Sequence, residues 1–305
     1  MNKITEQLLS IVSDFNGKFD GAFNIREDSQ CAGRQSTENI KIESKKDQPG
    51  IEIHIKPGTK GEKVYIPACV THSDVNDLVY NDFFIGEGAD VIIVAGCGVH
   101  SDGEEEARHN GIHRFFIEKN AHVVYEEKHI GVGKGKGARR IDPVTDAALA
   151  EGASLEMNTV QLGGVDSTLR KTTAALAANA KLIVRERIMT DKDETAKTVF
   201  EVNMDGEDSA VDLVSRSVAK GHSYQEFVST LRGKNRCSGH SECDAILVDN
   251  GTVNAAPALL ASHVDAALIH EAAIGKIAGE QILKLRTLGL SEEEAQERII
   301  QGFLK

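Results

Sequence analysis

From Ile40 to about Glu271, apolar residues recur at every second position in short runs, among them IKIES, IEIHIKP, KVYIPACV, DVIIVAG, HVVYEEKHI and KLIVRERIM. A period of two predicts strands with one buried face. The stretches between them are rich in Gly, Asp and Asn and too short for crossover helices, which argues against an alternating α/β sheet. A longer period lies over the shorter one. A small residue ahead of a β run recurs at Ala89, Ala121, Ala153, Ala180 and Ala210, with spacings of 32, 32, 27 and 30 residues. Ala266 follows Ala210 by 56, about two further periods, although no clean copy is visible midway near Arg236-Cys237. Repetition at this length predicts a stacked solenoid in which each coil buries its apolar face on its neighbours. A mainly β protein, a parallel β-helix, is the expected architecture, with an antiparallel sandwich of similar turn spacing as the alternative.

The ends follow a different period. The first 17 or so residues place apolar positions at helical spacing and predict a short amphipathic helix closed by Asn16-Gly17. Residues 275–289 bring Ile277, Ile282, Leu285 and Leu288 near one helical face, and Ser291 with Glu294 forms a capping box for a last helix. The expected organisation is an amino-terminal helical and irregular segment at 1–39, a β-helix core at 40–274, and terminal helices at 275–305. Such helices can cap the open end of a solenoid, bind a partner, or do both.

Composition narrows the function classes. The 305-residue chain carries 47 acidic against 35 basic residues, a formal charge of −12, which repels phosphate backbones and anionic lipid surfaces alike. Neither nucleic acid nor a membrane is an expected partner, and no apolar run approaches the ~20 residues that cross a bilayer. The amino terminus lacks the continuous apolar core of a signal peptide, so a cytoplasmic location is expected. Five cysteines (Cys31, Cys69, Cys97, Cys237, Cys243) at irregular spacing, with no CxxC pair, do not make a disulfide framework.

Three constellations could carry chemistry. Cys97, His100, His109, His113, His122 and His129 fall within 33 residues. A metal-dependent enzyme centred on His100, His109 and His113 is one reading, although Asn110-Gly111 between the last two is turn-like and speaks against a helical zinc site. The bland alternative is ordinary polar histidines facing solvent or a subunit interface. The stretch GVGKGKGARR, residues 131–140, lacks the Ser or Thr that follows GK in a P-loop, and no helix pattern comes after it, so a mobile basic loop is expected. Finally, Cys243 precedes His270 by 27 residues and Glu271 by 28, close to the repeat length, which would set them on adjacent coils. Thiolate, imidazole and carboxylate together can accept sulfur and hold iron. On one strand His270 and Glu271 must point to opposite faces unless a bulge intervenes. Taken singly, the three read better as a packed thiol, a satisfied core histidine and a solvated carboxylate; their joint spacing is what lifts the functional reading.

The tail SECDAILVDNGTVNAAPALLASHVDAALIHEAAIGKIAGEQILKLRTLGLSEEEAQERIIQGF resembles the carboxy-terminal signature of the SufB/SufD family of iron–sulfur cluster assembly scaffolds: CD in a strand, a Pro about fourteen residues on, then HEA, a GKI turn, EQ, LG, SEEEA and a final GF. The segment CGVHS…GIHRFFIEKNAHVVYEEKHIG is similar to the family's shorter members, so the resemblance covers roughly residues 85–305. It implies a right-handed parallel β-helix whose carboxy-terminal helices, here within 276–304, dock an ABC-type ATPase, SufC, where ATP is hydrolysed; the chain itself would be a scaffold rather than an enzyme. It also implies a dimer of β-helices with a nascent iron–sulfur cluster at the interface. Cys243 matches the sulfur-accepting, cluster-holding cysteine of SufB, and Glu271 the SufB-type glutamate of HEA. His270 occupies the position of a SufD-type interface ligand, and Cys97 aligns with a proposed first sulfur acceptor. The chain is shorter than the usual SufB. It carries both His270 and Glu271 beside the cysteine, which suggests a homodimer working without a paralogous partner, with Cys243 facing the other subunit. A structural, SufD-like subunit that holds no cluster is the rival. Cys237 and His240 have no assigned role, and the cluster type, its sulfur and iron donors, the recipient proteins and any flavin requirement are not legible.

Overall fold

The computed structural model describes residues 1–13 and 15–305. In chain order the elements are α1 (Lys3–Val12), β1 (Ala22–Glu27), β2 (Gln30–Gln35), β3 (Ile40–Ser44), β4 (Gly50–Ile55), β5 (Lys60–Val70), β6 (Asn76–Ile85), β7 (Asp90–His100), β8 (Ala107–Ile117), β9 (His122–Val132) and β10 (Arg139–Ile141). There follow β11 (Val144–Leu149), β12 (Ser154–Gln161), β13 (Ser167–Leu176), β14 (Lys181–Thr190), β15 (Thr195–Met204), β16 (Ser209–Ala219), β17 (Tyr224–Gly233), β18 (Cys237–Leu247), β19 (Thr252–Ala261), β20 (Ala266–Lys276), α2 (Gly279–Thr287) and α3 (Glu292–Phe303).

The strands alternate between two sheets. One runs β2-β1-β5-β7-β9-β12-β14-β16-β18-β20, the other β19-β17-β15-β13-β10-β8-β6-β4-β3 with β11 beside β8 and β13. Apart from the antiparallel pairs β1/β2 and β3/β4, all pairings are parallel. The result is a β-solenoid of about eight turns, as the double periodicity predicts. Alternate residues of each strand point into the lumen, where Val, Ile, Leu and Phe stack on their equivalents one turn away; Phe83 and Phe115, in register on β6 and β8, lie nearly parallel with centroids 4.5 Å apart.

The longer period has a backbone cause. Gly88, Asn120, Gly152, Asn179 and Asp208 all adopt positive φ, between 56° and 69°, and turn the chain into the next strand. Gly and Asn tolerate that conformation, and Asp is the other residue that visits it readily. The residue that follows each is small and faces inward. The copy expected at Ala210 is in fact Ser209: Lys181 pairs with Ala210, so Ala180 stacks on Ser209. A one-residue slip inverts the facing of a whole strand, and Ala210 lies on the outer side. The missing copy is Cys237, which stands between Ser209 and Ala266 in register, its thiol filling the place alanine takes elsewhere.

The two ends are finished differently. The stretch 18–39, expected as irregular, contains β1 and β2, a hairpin whose first strand pairs in parallel with β5 and extends the solenoid wall. Its alternation is too short to stand out in the sequence. α1 buries Thr5, Leu8, Leu9 and Val12 on the outside of β5 and β7. It can sit there because Gly96 and Gly98 present no side chain: a Cβ on Gly96 would lie 2.5 Å from the Val12 carbonyl oxygen, and one on Gly98 2.8 Å from Leu8. The helix ends at Val12 rather than near Asn16-Gly17, and Asp14 lies outside the described residues. At the other end α3, opened by the expected Ser291/Glu294 capping box, packs Ile300 and Leu304 on Val218 and Val248 of the side wall. The terminal helices therefore leave the last turn uncapped. β19 and β20 are exposed along most of their length, with Leu259, Leu260, Ile269 and Ile274 all at least 38% accessible.

The GVGKGKGARR stretch is a docked strap rather than a mobile loop. Gly135 N–H donates to the Ser101 carbonyl and Gly137 N–H to the Gly103 carbonyl, each at 2.9 Å. A Cβ on Gly137 would lie 1.8 Å from the Glu105 carbonyl oxygen, so its alternating glycines permit backbone to lie directly on backbone. Among the described residues, no helix is long and apolar enough to cross a membrane.

Candidate functional site

Strand alternation decides which side chains enter the lumen. On β7, Ala95, Cys97 and Val99 point inward, and Cys97 is 4% accessible. Register carries the Cys97 position to His129, Gln161 and Ile188 on successive turns. The neighbouring inward position runs Ala95, Glu127, Thr159, Glu186, Ser215, Cys243, Ala272. A third runs Tyr125, Met157, Val184, Leu213, Ser241, His270. Cys97 and Cys243 thus share one lumen, five strand spacings apart, about 24 Å at ~4.8 Å per spacing.

Between them a polar network crosses an otherwise apolar lumen that includes Met157, Val184 and Leu213. The His113 imidazole contacts Asn81 at 3.2 Å and the Tyr125 hydroxyl at 2.8 Å, and that hydroxyl donates to Glu127 Oε1 at 2.8 Å. Arg170, from β13 across the lumen, pairs with the other Glu127 oxygen, contacts His129 Nδ1 at 3.1 Å and reaches Glu186 at 3.4 Å. Glu186 in turn accepts from Thr198 at 3.1 Å and Ser215 at 2.8 Å. Tyr125, Glu127, His129, Arg170 and Glu186 are all buried. Burial raises the carboxyl of Glu127, but His129 and Arg170 outweigh it and hold the group well below the usual carboxylate range. Burial pushes the Glu186 carboxyl up, with Arg170 only partly opposing it, and lowers His113 to about 4. One guanidinium between two buried carboxyls needs such a set of donors to offset the desolvation of the charges.

Both candidate thiols are held protonated. Burial, reinforced by Glu127, raises Cys97 well above an ordinary thiol. Burial, Glu186 and Asp244 push Cys243 up to about 12. Cys243 is 1% accessible and faces the lumen, one turn short of the open end, instead of the outer surface. His270 lies on that same inner face in the last turn, paired with Ser241, and its Nδ1 is buried without a hydrogen-bond partner. Glu271 lies on the opposite face. The β18/β20 register is unbroken from Cys237/Ala266 to Leu247/Lys276, so no bulge turns Glu271 inward. Within one chain Cys243 and His270 lie on the inner face of adjacent strands, two register positions apart, at the mouth of the lumen, while Glu271 joins His240 and Glu242 outside.

The histidine-dense segment does not assemble a metal centre. His100 contacts the Thr71 carbonyl, His109 is paired with Asp77 at 3.0 Å, and His113 is tied to Asn81 and Tyr125. His109 and His113 share the inner face of β8, and a Cβ on Gly111 would meet both rings at 3.1–3.2 Å, so the Asn110-Gly111 pair lies within a strand where the glycine makes room for two imidazoles. Sequence reasoning missed Tyr125, Glu127, Arg170 and Glu186. A legible signal existed for the two glutamates: in HVVYEEKHI and KLIVRERIM each occupies the apolar phase of its strand.

Comparison with known proteins bears on the same region. Residues 78–303 match the family described as SUF system FeS cluster assembly, SufBD core domain. An iron-sulfur cluster assembly SufBD family protein of Archaeoglobus fulgidus is 28% identical over 274 residues, covering 89% of this chain and 72% of the relative. One from Methanothermobacter thermautotrophicus is 29% identical, covering 86% of this chain and 64% of the relative, and one from Methanocaldococcus jannaschii is 26% identical, covering 92% and 89%. With a solenoid lumen crossed by a polar network and ending in a cysteine and a histidine, and a core match over three-quarters of its length, the chain belongs to the SufBD family of iron–sulfur cluster assembly proteins.

Proposed function

We propose that this chain is a scaffold on which sulfur and iron are combined into a nascent iron–sulfur cluster at the open end of the solenoid. Cys97 and Cys243 each accept sulfane sulfur from a mobile persulfide donor, because the five strand spacings between them exceed the reach of direct attack. Each transfer is attack by the cysteine thiolate on the outer sulfur of that donor's persulfide; one S–S bond forms, one breaks, and the donor leaves as a thiolate. The observation that carries the reading is the polar network between the two buried thiols of a SufBD-family chain. His129 pairs with Cys97 in strand register; burial lowers its basicity and its Nδ1 accepts from the Arg170 guanidinium, so the neutral ring carries its proton on Nε2. Its Nε2 is 3.3 Å from Glu127 but not aligned for a hydrogen bond.

The cluster itself is substrate and product. Cys243 and His270 supply its inner ligands, and Glu271, on the outer face of the same terminal turn, serves the iron. A second copy of the chain meets this one across the uncapped β19/β20 edges, whose exposed Leu259, Leu260, Ile269 and Ile274 favour burial. An ABC-type ATPase docks on the terminal helices: α2 buries none of its residues, and Leu283 and Leu288 are 61% and 75% accessible. ATP-driven movement of those helices would open the interface through differential contacts in two states, with no hydrolysis in this chain.

Anaerobic reconstitution with iron and sulfide tests the assignment. Wild type is expected to develop cluster absorbance and Cys243→Ala to lose it; equal absorbance in the two would refute the role of Cys243. One observation favours the structural, SufD-like reading, namely the burial and high proton affinity of the Cys243 thiol. That subunit would bind the ATPase and tolerate changes at Cys97, Cys243, His270 and Glu271, so the same experiment separates the two.

A further inference from the structure

The outer face of the terminal wall holds a second set of metal-ligand side chains. His240 and Glu242 flank Ser241 on β18, and Glu271 stands opposite Glu242 in strand register on β20. One donor atom from each lies within 4.8 Å of the others, the only convergent group of three His, Cys, Asp or Glu donors among the described residues. His240 Nε2 is 3.5 Å from Glu271 Oε2. The other ring nitrogen, Nδ1, is 2.9 Å from Asp212, one turn back and in register with His240. A carboxylate on Nδ1 holds the proton there and leaves the Nε2 lone pair directed at the two glutamates, the arrangement by which metal-binding imidazoles are oriented. Asp212 is itself paired with the Arg185 guanidinium, and Glu242 has both Asp244 and Arg216 beside it, an acid and a base that offset one another, so the net charge of the group is that of the two glutamates.

We propose that His240, Glu242 and Glu271 bind one divalent first-row transition-metal ion, with Asp212 as the positioning residue. One imidazole nitrogen and two carboxylate oxygens suit a borderline-to-hard ion and leave coordination positions open for water or an incoming ligand. Two carboxylates balance the charge of one dication. The site is separated from Cys243 by the thickness of a single strand, since Glu242 and Cys243 are consecutive and point to opposite sides of β18. Naming the ion as iron(II), held beside the thiol that receives sulfur, rests on the scaffold reading above; the site itself does not.

Anaerobic titration of the full chain with cobalt(II) alone provides the test. Wild type is expected to bind one equivalent with d–d bands and without thiolate-to-cobalt charge transfer. His240→Ala and Glu242→Gln should each weaken binding at least about tenfold, and Asp212→Asn by about 10- to 100-fold. Cys243→Ala and His270→Ala should leave it unchanged. The His240, Glu242 and Asp212 side chains are partly exposed and Cys243 is buried, so circular dichroism and a melting curve are recorded to confirm that each variant is folded. No binding by wild type, undiminished binding in folded His240→Ala, or dependence on Cys243 would overturn the site. If Cys243→Ala instead retains full cluster reconstitution, the scaffold reading fails while the cobalt result still decides the site.

Discussion

Ser215 lies directly beneath Cys243 in the stack of inward-facing residues, and its hydroxyl donates to Glu186 at 2.8 Å. The thiol is thereby the terminal member of a buried polar column rather than an isolated core cysteine. On the far side its register partner is Ala272 of the last turn. Sulfur chemistry at Cys243 requires either passage along that column or opening of the terminal turn, because the nearest carboxylates raise the thiol's proton affinity instead of releasing it.

Thiol accessibility follows from this. Of the five cysteines, Cys31 is exposed and Cys69, Cys97, Cys237 and Cys243 are buried. Titration of the native chain with a thiol-specific reagent should give one rapid equivalent, removed by Cys31→Ser, and all five only after denaturation. A second rapid equivalent lost in Cys243→Ala would show that the terminal turn opens readily and would contradict the closed wall.

The Arg170 guanidinium is the centre of the buried network, and its loss strands two carboxyls. Arg170→Met should destabilise the chain by about 3–5 kcal/mol, a fall in melting temperature of about 10 °C. Adding Glu127→Gln to Arg170→Met should recover part of that, since a neutral amide needs no counter-charge. A melting temperature for Arg170→Met within a degree or two of wild type would mean that the network contributes little.

Stability should fall as pH drops from 7 towards 4. His113 is buried and its folded-state value is lowered by that burial to about 4, against about 6.5 in an unfolded chain. The unfolded state therefore binds the proton first. Stability is complete above about pH 6.5, is lost as the pH falls through the window, and levels off below about 4. Roughly 2 kcal/mol of this loss is expected from His113 between pH 7.5 and 5, and His129, also lowered by burial, adds in the same direction. Urea midpoints measured at the two pH values should separate more for wild type than for His113→Gln; equal separations would show that His113 is not the titrating group.

Much of the architecture was determined locally. Alternation of apolar residues specifies strands wherever it runs for five residues or more, and positive-φ turn residues at intervals near thirty fix the coil length, so the solenoid was legible without any long-range information. The capping box at Ser291 was equally local. The tail motif carried the family, and the opposition of His270 and Glu271 followed from strand geometry alone. Tertiary structure decided what depends on phase and register. A slip of one residue separates Ser209 from Ala210 and exchanges the inner and outer faces, and Cys237 became a copy of the repeat only when its stacking neighbours were known. Glu127, Arg170 and Glu186 are distant in sequence, and only coiling stacks the two glutamates two turns apart in the lumen with Arg170 bridging them, where burial alters their chemistry. The outer trio His240, Glu242 and Glu271 arises in the same way, because strand pairing, not sequence distance, sets which side chains share a face.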